Sequence, residues 1–528
     1  MNQIIWMIIA TMVTMASCQT GLQGKPEDAK NDSIVADTMA MPFVEAFPDT
    51  MYASAEKITY IIDTFDKETS PLLCNYDDLY ADAPGVFMFR GSPTRNPNFS
   101  GRLYGDSLSI NVEWVFTTSR DTSHTAYGVW EGGNGWTGQP LYVNWPDTMM
   151  SLFRMHSDSL TEHFSTKEII LASLCGKLYF IDLESGLPSR KAMPLGNVVK
   201  GTPSLNPTMN GHIYVGHGVP HHNPFGNLVF DLFQHRIIDT FGRDGKAWRG
   251  WGAYDSSPVV IGGFVFRPSE NGTIYKAYVG DGGYKLHSTL RYSLNGTHSS
   301  PGIESSMAVC RNYGYITDNR GNVLCINLNT LKPVWHFNNY DDTDATPLVD
   351  VEDGIPYVYT GCEVDRQGGQ GNSRFVKLNG LDGTIVWKDT IPCRKAHFTD
   401  KSLDGGMFAS PLLGNGDCEG MIFSNFCINS DSAAGHFIAF DKSDGKILYR
   451  TRTRFYCWSS PVAFYNKDNE MYVFTADIGG YVYLIKAKTG EIVASEKVGI
   501  NFEASPVIAD DKIIIGSRGN KIYKISLE

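Results

Sequence analysis

The sequence predicts an all-β fold: one closed ring of eight four-stranded antiparallel sheets, with seven as the alternative count, sealed by an N-terminal strand. Three observations predict it. The first is the phrase FEASPVIADDKIIIGSRGNKIYKISLE, which begins at Phe502. In it a Ser505-Pro506 pair leads into Val507-Ile508, and an acidic turn at Asp510-Asp511 leads into Ile513-Ile514-Ile515. A Gly-rich turn then leads into alternating Ile522-Tyr523-Lys524-Ile525. This reads as three short strands with tight turns and no helical period. The second observation is that the phrase recurs upstream, with anchors at Pro140, Pro203, Pro258, Met307, Pro347, Pro411, Pro461 and Pro506. Seven sheets would follow if Met307, in Glu304-Ser305-Ser306-Met307, is not an anchor. The third is composition: 53 Gly and 12% aromatic residues in 528 suit many short strands joined by tight turns. A closed repeat array absorbs this length as one domain, because each sheet buries its faces only against its neighbours.

Taken in order, residues 1–17 read as a signal peptide. The apolar run Ile4 to Met15 is too short for a comfortable membrane span, and the segment carries no Lys or Arg before it. Residues 18–83 read as a flexible tether and a short N-terminal segment, polar at first, with Lys57 to Asp63 open between strand and helix. The ordered body, 84–528, begins with Gly85 to Gly91. The apolar run Val112 to Phe116 then forms a strand with nothing local to pair with. The last repeat ends after three strands, so the strand around Trp114 is predicted to pair with Ile522 to Ile525 and close the ring. Units from residue 301 onward are clear: Gly321 to Leu328 then Leu331 to Trp335, Arg374 to Leu378 then Asp382 to Trp387, and Tyr481 to Ala487 then Thr489 to Val493. Their Asp-Gly and Thr-Gly pairs are hairpin turns. Between 203 and 300 the third and fourth strands are hard to place.

The net charge of −12 argues against nucleic acid, which calls for a basic footprint. Ten cysteines with no CxxC pair and no adjacent pair read as buried thiols, not as a disulfide frame or a metal cage.

The phrase GxVxxLxxxxGxxxW followed by a Ser/Thr-Pro strand resembles the PQQ-like β-propeller repeat, shared by quinoprotein dehydrogenases and by outer-membrane assembly lipoproteins. Met15-Ala16-Ser17-Cys18 likewise resembles a bacterial lipobox, the alternative being an ordinary signal peptide with an accidental cysteine. Together they imply a monomeric outer-membrane lipoprotein, lipidated at Cys18 and facing the periplasm or the cell surface. Gln19 after the cysteine favours the outer membrane by resemblance to enterobacterial sorting. The implied function is a scaffold for an envelope protein partner or a polar small ligand, more a binding module than an enzyme. The rivals are an enzyme with its site in the channel mouth, a quinoprotein-like oxidoreductase or a hydrolase, and a surface carbohydrate-binding protein. PQQ is not expected, because quinoproteins pack an adjacent-cysteine disulfide on the cofactor and this chain has none. A calcium ion is a minor option.

Other motifs weigh little. Gly133 to Gly138 is a GxGxxG, but Pro140 and a strand follow it where a dinucleotide site needs a helix. Asn415 to Gly420 mimics the start of a calcium loop, yet position twelve is Phe426. His217, His221 and His222 are a candidate metal cluster with no adjacent carboxylate or thiol, against a plain loop insertion in the second unit.

The repeat itself supplies the candidate site. Residues three places before each anchor line one mouth of the central channel, and they include Lys200, Asp255, Glu304, Asp344, Phe408, Trp458 and Glu503. Trp136 and Arg249 stand on the loops leading in. The predicted functional surface is therefore an acidic mouth of Lys200, Asp255, Glu304, Asp344 and Glu503, rimmed by Trp136, Arg249 and Trp458.

Overall fold

The structure is a computed structural model, described for residues 47, 58–66, 77–105, 108–135, 138–242, 244–280, 283–294, 301–398, 401–427 and 434–528. Residues 1–17, read in the sequence as a signal peptide, and Cys18 and Trp136 lie outside the described residues. Among those residues the strands form eight four-stranded antiparallel blades. Each starts at one of the eight anchors. Met307 is one of them, since the innermost strand of blade 4 is Ala308–Cys310. The stretch that was hard to read carries complete blades, with outer strands at Arg236–Phe241 and Gly283–Leu294.

The repeat phrase encodes contacts between blades. The hydroxyl before five of the anchors, at Thr202, Ser306, Thr346, Ser460 and Ser505, accepts the backbone N–H from the same place in the preceding blade. Ser257 N–H reaches Ser306 Oγ at 2.8 Å, Ser306 reaches Thr346 Oγ1 at 2.9 Å, and Ser410 reaches Ser460 Oγ and Ser460 reaches Ser505 Oγ, both at 3.0 Å. The outer-strand aromatic does the same work at the rim. Trp335 donates its indole N–H to Gly380 O of the next blade (2.8 Å), and Trp387 donates to Lys442 O (2.9 Å). Each ring lies flat on a turn glycine at positive φ. At Gly383 a Cβ would stand 2.6 Å from the Trp335 ring. The Gly-xxx-Trp signature is thus one half of a joint whose other half lies a blade away.

The closing strand is where it was expected. Ile110–Thr117 pairs antiparallel with Lys521–Leu527, placing Val115 opposite Tyr523. Trp114 then crosses into blade 1, donating to Leu183 O at 2.9 Å and lying on Gly186. Residues Ile58–Thr64, open between strand and helix in sequence, form a fifth strand on the outer edge of blade 3, Ile58 opposite Leu294 and Thr64 opposite Ser288.

The centre of the ring is filled by residues 85–103. Gly85–Val86 pairs with the inner strand of blade 1, and Gly101–Arg102 pairs, in parallel, with that of blade 7. Between them two fully buried arginines cap inner-strand carbonyls. Arg90 donates to Pro461 O (2.6 Å) and Pro411 O (2.8 Å), and Arg95 donates to Met307 O (2.8 Å), Phe89 O (2.8 Å) and Ser257 O (3.1 Å). Both arginines have positive φ, 64° and 60°, a conformation held only where surrounding contacts over-determine it. The channel is therefore blind: beneath the mouth, the space between Phe89, Asp344, Phe408 and Trp458 is about 10 Å³, room for one water.

Candidate functional site

Above that floor the fold gathers the predicted ring residues. Lys200 forms an ion pair with the fully buried Asp255. Asp255, Glu270 and Glu304 hold carboxylate oxygens within 4.8 Å of one another, and so do Asp342, Asp344 and Glu363. Asp344 also faces the small void with Phe408 and Trp458, whose ring lies 5.0 Å from that of Phe408. Glu503 is tied to Arg518 at 3.1 Å and to Asn501 at 3.0 Å. The Arg518 guanidinium and the Lys200 ammonium lie 5.3 and 6.0 Å from the ring centre of Trp130. Arg249 packs on Gly302, where any side chain would overlap its guanidinium.

Glu270, Asp342 and Glu363 were missed in the sequence. Glu270 and Glu363 follow the second strands of blades 3 and 5, Phe264–Arg267 and Ile355–Gly361. The turn from second to third strand opens on the same mouth as the approach to the anchor. A second ring of positions, read just past each second strand, would have found both. Asp342 lies five places before its anchor, outside either register.

The charges do not cancel. Burial and the Glu304 charge hold the Glu270 carboxyl well above its ordinary value. Burial also raises Asp255, even against Lys200. Burial works against the Lys200 ammonium, but Asp255, Glu270 and Glu304 outweigh it and hold the lysine protonated. In the second trio burial comes first, then like charge: Asp342 is pushed up to about 7, and Asp344 and Glu363 well above the carboxylate range. Such a mouth stores proton affinity that a cation can replace.

The other candidates resolve as structure. His217 is buried, bonded to Leu195 O at 3.0 Å and to Gly226 N–H at 3.2 Å, and burial pulls it down to about 4. The GxGxxG loop links blades 8 and 1: Asn134 N–H bonds Ser517 O, and Leu174 N–H bonds Gly133 O. The eight described cysteines are free and buried.

No protein-family model matches the chain. Over 283 residues, 51% of its length, it is 24% identical to the outer membrane protein assembly factor BamB of Yersinia pestis, and the match covers 60% of that protein. Over 85 residues it is 28% identical to the human beta-alanine-activating enzyme, covering 16% of this chain and 8% of that protein. The chain thus spans less than two thirds of the curated relatives it matches. Among solved structures it resembles the quinohemoprotein alcohol dehydrogenase of Comamonas testosteroni, with TM-score 0.59 and 11% identity over 85% of this chain and 82% of that one. It also resembles a europium-containing methanol dehydrogenase, with TM-score 0.56 and 12% identity over 85% and 99%. At those identities the structural likeness is one of fold. Its eight blades and its repeat phrase, with these similarities, fit a PQQ-like β-propeller repeat family.

The residues present do not fit PQQ itself. That cofactor is a flat tricyclic quinone carrying three carboxylates. Here the channel under the mouth is closed by Phe89, and the mouth presents six carboxyl groups against two cations, Lys200 and Arg366, both already paired with them. An anionic ring system would meet like charge above and no space below.

Proposed function

We propose that the chain is a lipid-anchored outer-membrane propeller that docks a basic segment of an envelope protein partner at its acidic mouth. The observation that carries this is the two carboxyl trios, six groups from three consecutive blades, met by Lys200 at Asp255 and by Arg366 at 3.9 Å from Asp342. A Lys or Arg side chain entering between them gains charge-assisted hydrogen bonds and relieves the repulsion at once. The similarity to a protein named as an outer membrane assembly factor supports the envelope setting, and the lipobox-like Met15 to Cys18 supports the anchor. A single acyl chain binds membranes only marginally, so stable anchoring through Cys18 calls for more than one.

The test is a pull-down from detergent-solubilised envelopes, run with and without EDTA, because a hard cation would compete for the same oxygens. The wild-type chain retains a partner that the Glu304→Gln/Asp344→Asn variant loses without any loss of thermal stability, with EDTA making no difference. Equal retention by both proteins assigns the mouth to hydration alone. In fractionation, Cys18→Ala leaves the membrane pellet, and its persistence there after a high-salt wash refutes the lipid anchor.

A further inference from the structure

Beside the mouth, with Trp130 between the two, a cleft of about 220 Å³ lies among four segments. The strap from Thr118 to Glu131 forms one wall. It is pinned at its base by the bridge Asp121–Glu131 and at its tip by Thr125–Gly128, and Tyr127 rests edge-on against Trp251 with ring centres 4.5 Å apart. Leu174–Lys177 and Pro194–Val198 of blade 1 form the floor, and His221-His222 of blade 2 close the end.

The cleft is held ready. Asn197 Oδ1 accepts both backbone N–H groups of the histidine pair, from His221 at 2.8 Å and His222 at 2.7 Å, and its amide donates to His222 O at 3.0 Å. That fixes the two imidazoles, whose centres lie 4.0 Å apart. Asp121 is set by the Ser123 N–H at 2.9 Å, and Lys177 by Ser119 Oγ at 2.9 Å. Both charges of the cleft are thus already engaged, and they oppose each other across it. An anion would face Asp121, and a cation would face Lys177 and the imidazoles. The remaining lining offers the hydroxyls of Ser123 and Thr125 around an apolar surface of Trp130, Leu174 and Val198. The Trp130 indole N–H is buried with no hydrogen-bond partner among the described residues, so Trp130 presents its ring rather than its polar edge to the cleft.

We propose that this cleft is a binding site for one neutral saccharide ring. A pyranose presents hydroxyls that donate and accept around its edge and an apolar C–H face. The Asp121 carboxylate, the imidazoles and the Ser123 and Thr125 hydroxyls, around the apolar surface of Trp130, Leu174 and Val198, complement both. The volume lies below the roughly 300–1,000 Å³ of drug-sized sites and suits a single ring.

Isothermal titration of the full chain with glucose, galactose and N-acetylglucosamine tests the assignment, with glycine and alanine as zwitterionic probes. At least one sugar is expected to saturate with a dissociation constant on the order of 1 mM. Asp121→Ala weakens it at least about tenfold, His222→Ala does so independently, and Asp344→Asn in the mouth leaves it unchanged. Circular dichroism confirms that each variant is folded. Absence of binding by all three sugars, binding of the amino acids alone, or binding indifferent to both Asp121→Ala and His222→Ala overturns the proposal. Because the mouth variant is scored separately, failure here does not touch the docking reading.

Discussion

Asp342→Asn is expected to raise the melting temperature at pH 8 and leave it nearly unchanged at pH 4. Burial first, and then the Glu304 charge, put the Asp342 carboxyl at about 7 in the folded chain, against an ordinary 3.8. Below about 4 the group is protonated in both folded and unfolded chains and is neutral to stability. As pH rises from 4 to 7 the unfolded chain sheds the proton while the folded chain keeps it. Folding stability therefore falls across that window and stays low above it. The cost approaches about 4 kcal/mol for a shift of this size. Discounted for the Asp342 side chain's 19% exposure, roughly 2–3 kcal/mol remains. Asparagine removes it. Thermal melts of both proteins between pH 4 and 8 decide the matter: a difference that does not grow with pH would show that the trio is not under charge strain. A mouth held at such a cost at neutral pH is poised for a cationic partner.

Arg95→Met is expected to destabilise the chain by roughly 3–5 kcal/mol, the scale of a buried charged donor removed from its acceptors. Methionine keeps the length but leaves Met307 O, Ser257 O and Phe89 O buried without their present donor. Arg236→Met is the control, an exposed outer-strand arginine whose side chain meets only Gln234, with an expected change within about 0.5 kcal/mol. Denaturant unfolding of both variants separates them. Equal midpoints would show that the segment in the channel fills space without holding the blades.

The blades were legible because each conserves no mere shape but a joint. The Ser/Thr before the anchor, the turn glycine and the outer Trp each have a partner one blade on, so the phrase repeats with the ring. Trp114 could be assigned to closure for that reason. The channel segment was not legible. Arg90 and Arg95 sit among Gly, Pro, Ser and Asn, the composition of an exposed loop. Apart from Phe89 O, their carbonyl partners lie 162 to 371 residues away, where no local pattern marks them. In the mouth, Lys200, Asp255, Glu304 and Asp344 were read from a fixed offset, whereas Asp342 obeys no offset and Glu363 follows a turn. The strand Ile58–Thr64 was ambiguous because its pairing edge, Gly283–Leu294, belonged to the blade hardest to see.

The pairing of Ile110–Thr117 with Lys521–Leu527 also bears on how the chain reaches its native state. Thr117 and Lys521 are opposite each other across some four hundred residues, and Ser109 and Glu528 exchange backbone hydrogen bonds in both directions. Closing a loop of that length is entropically costly, and its contacts reward the chain only after the intervening blades have stacked. Sealing is therefore expected to come late in folding, after the blades have stacked. Until it occurs, the three strands of blade 8 carry an open edge of alternating Ile522, Lys524 and Ser526, able to accept a strand from another molecule.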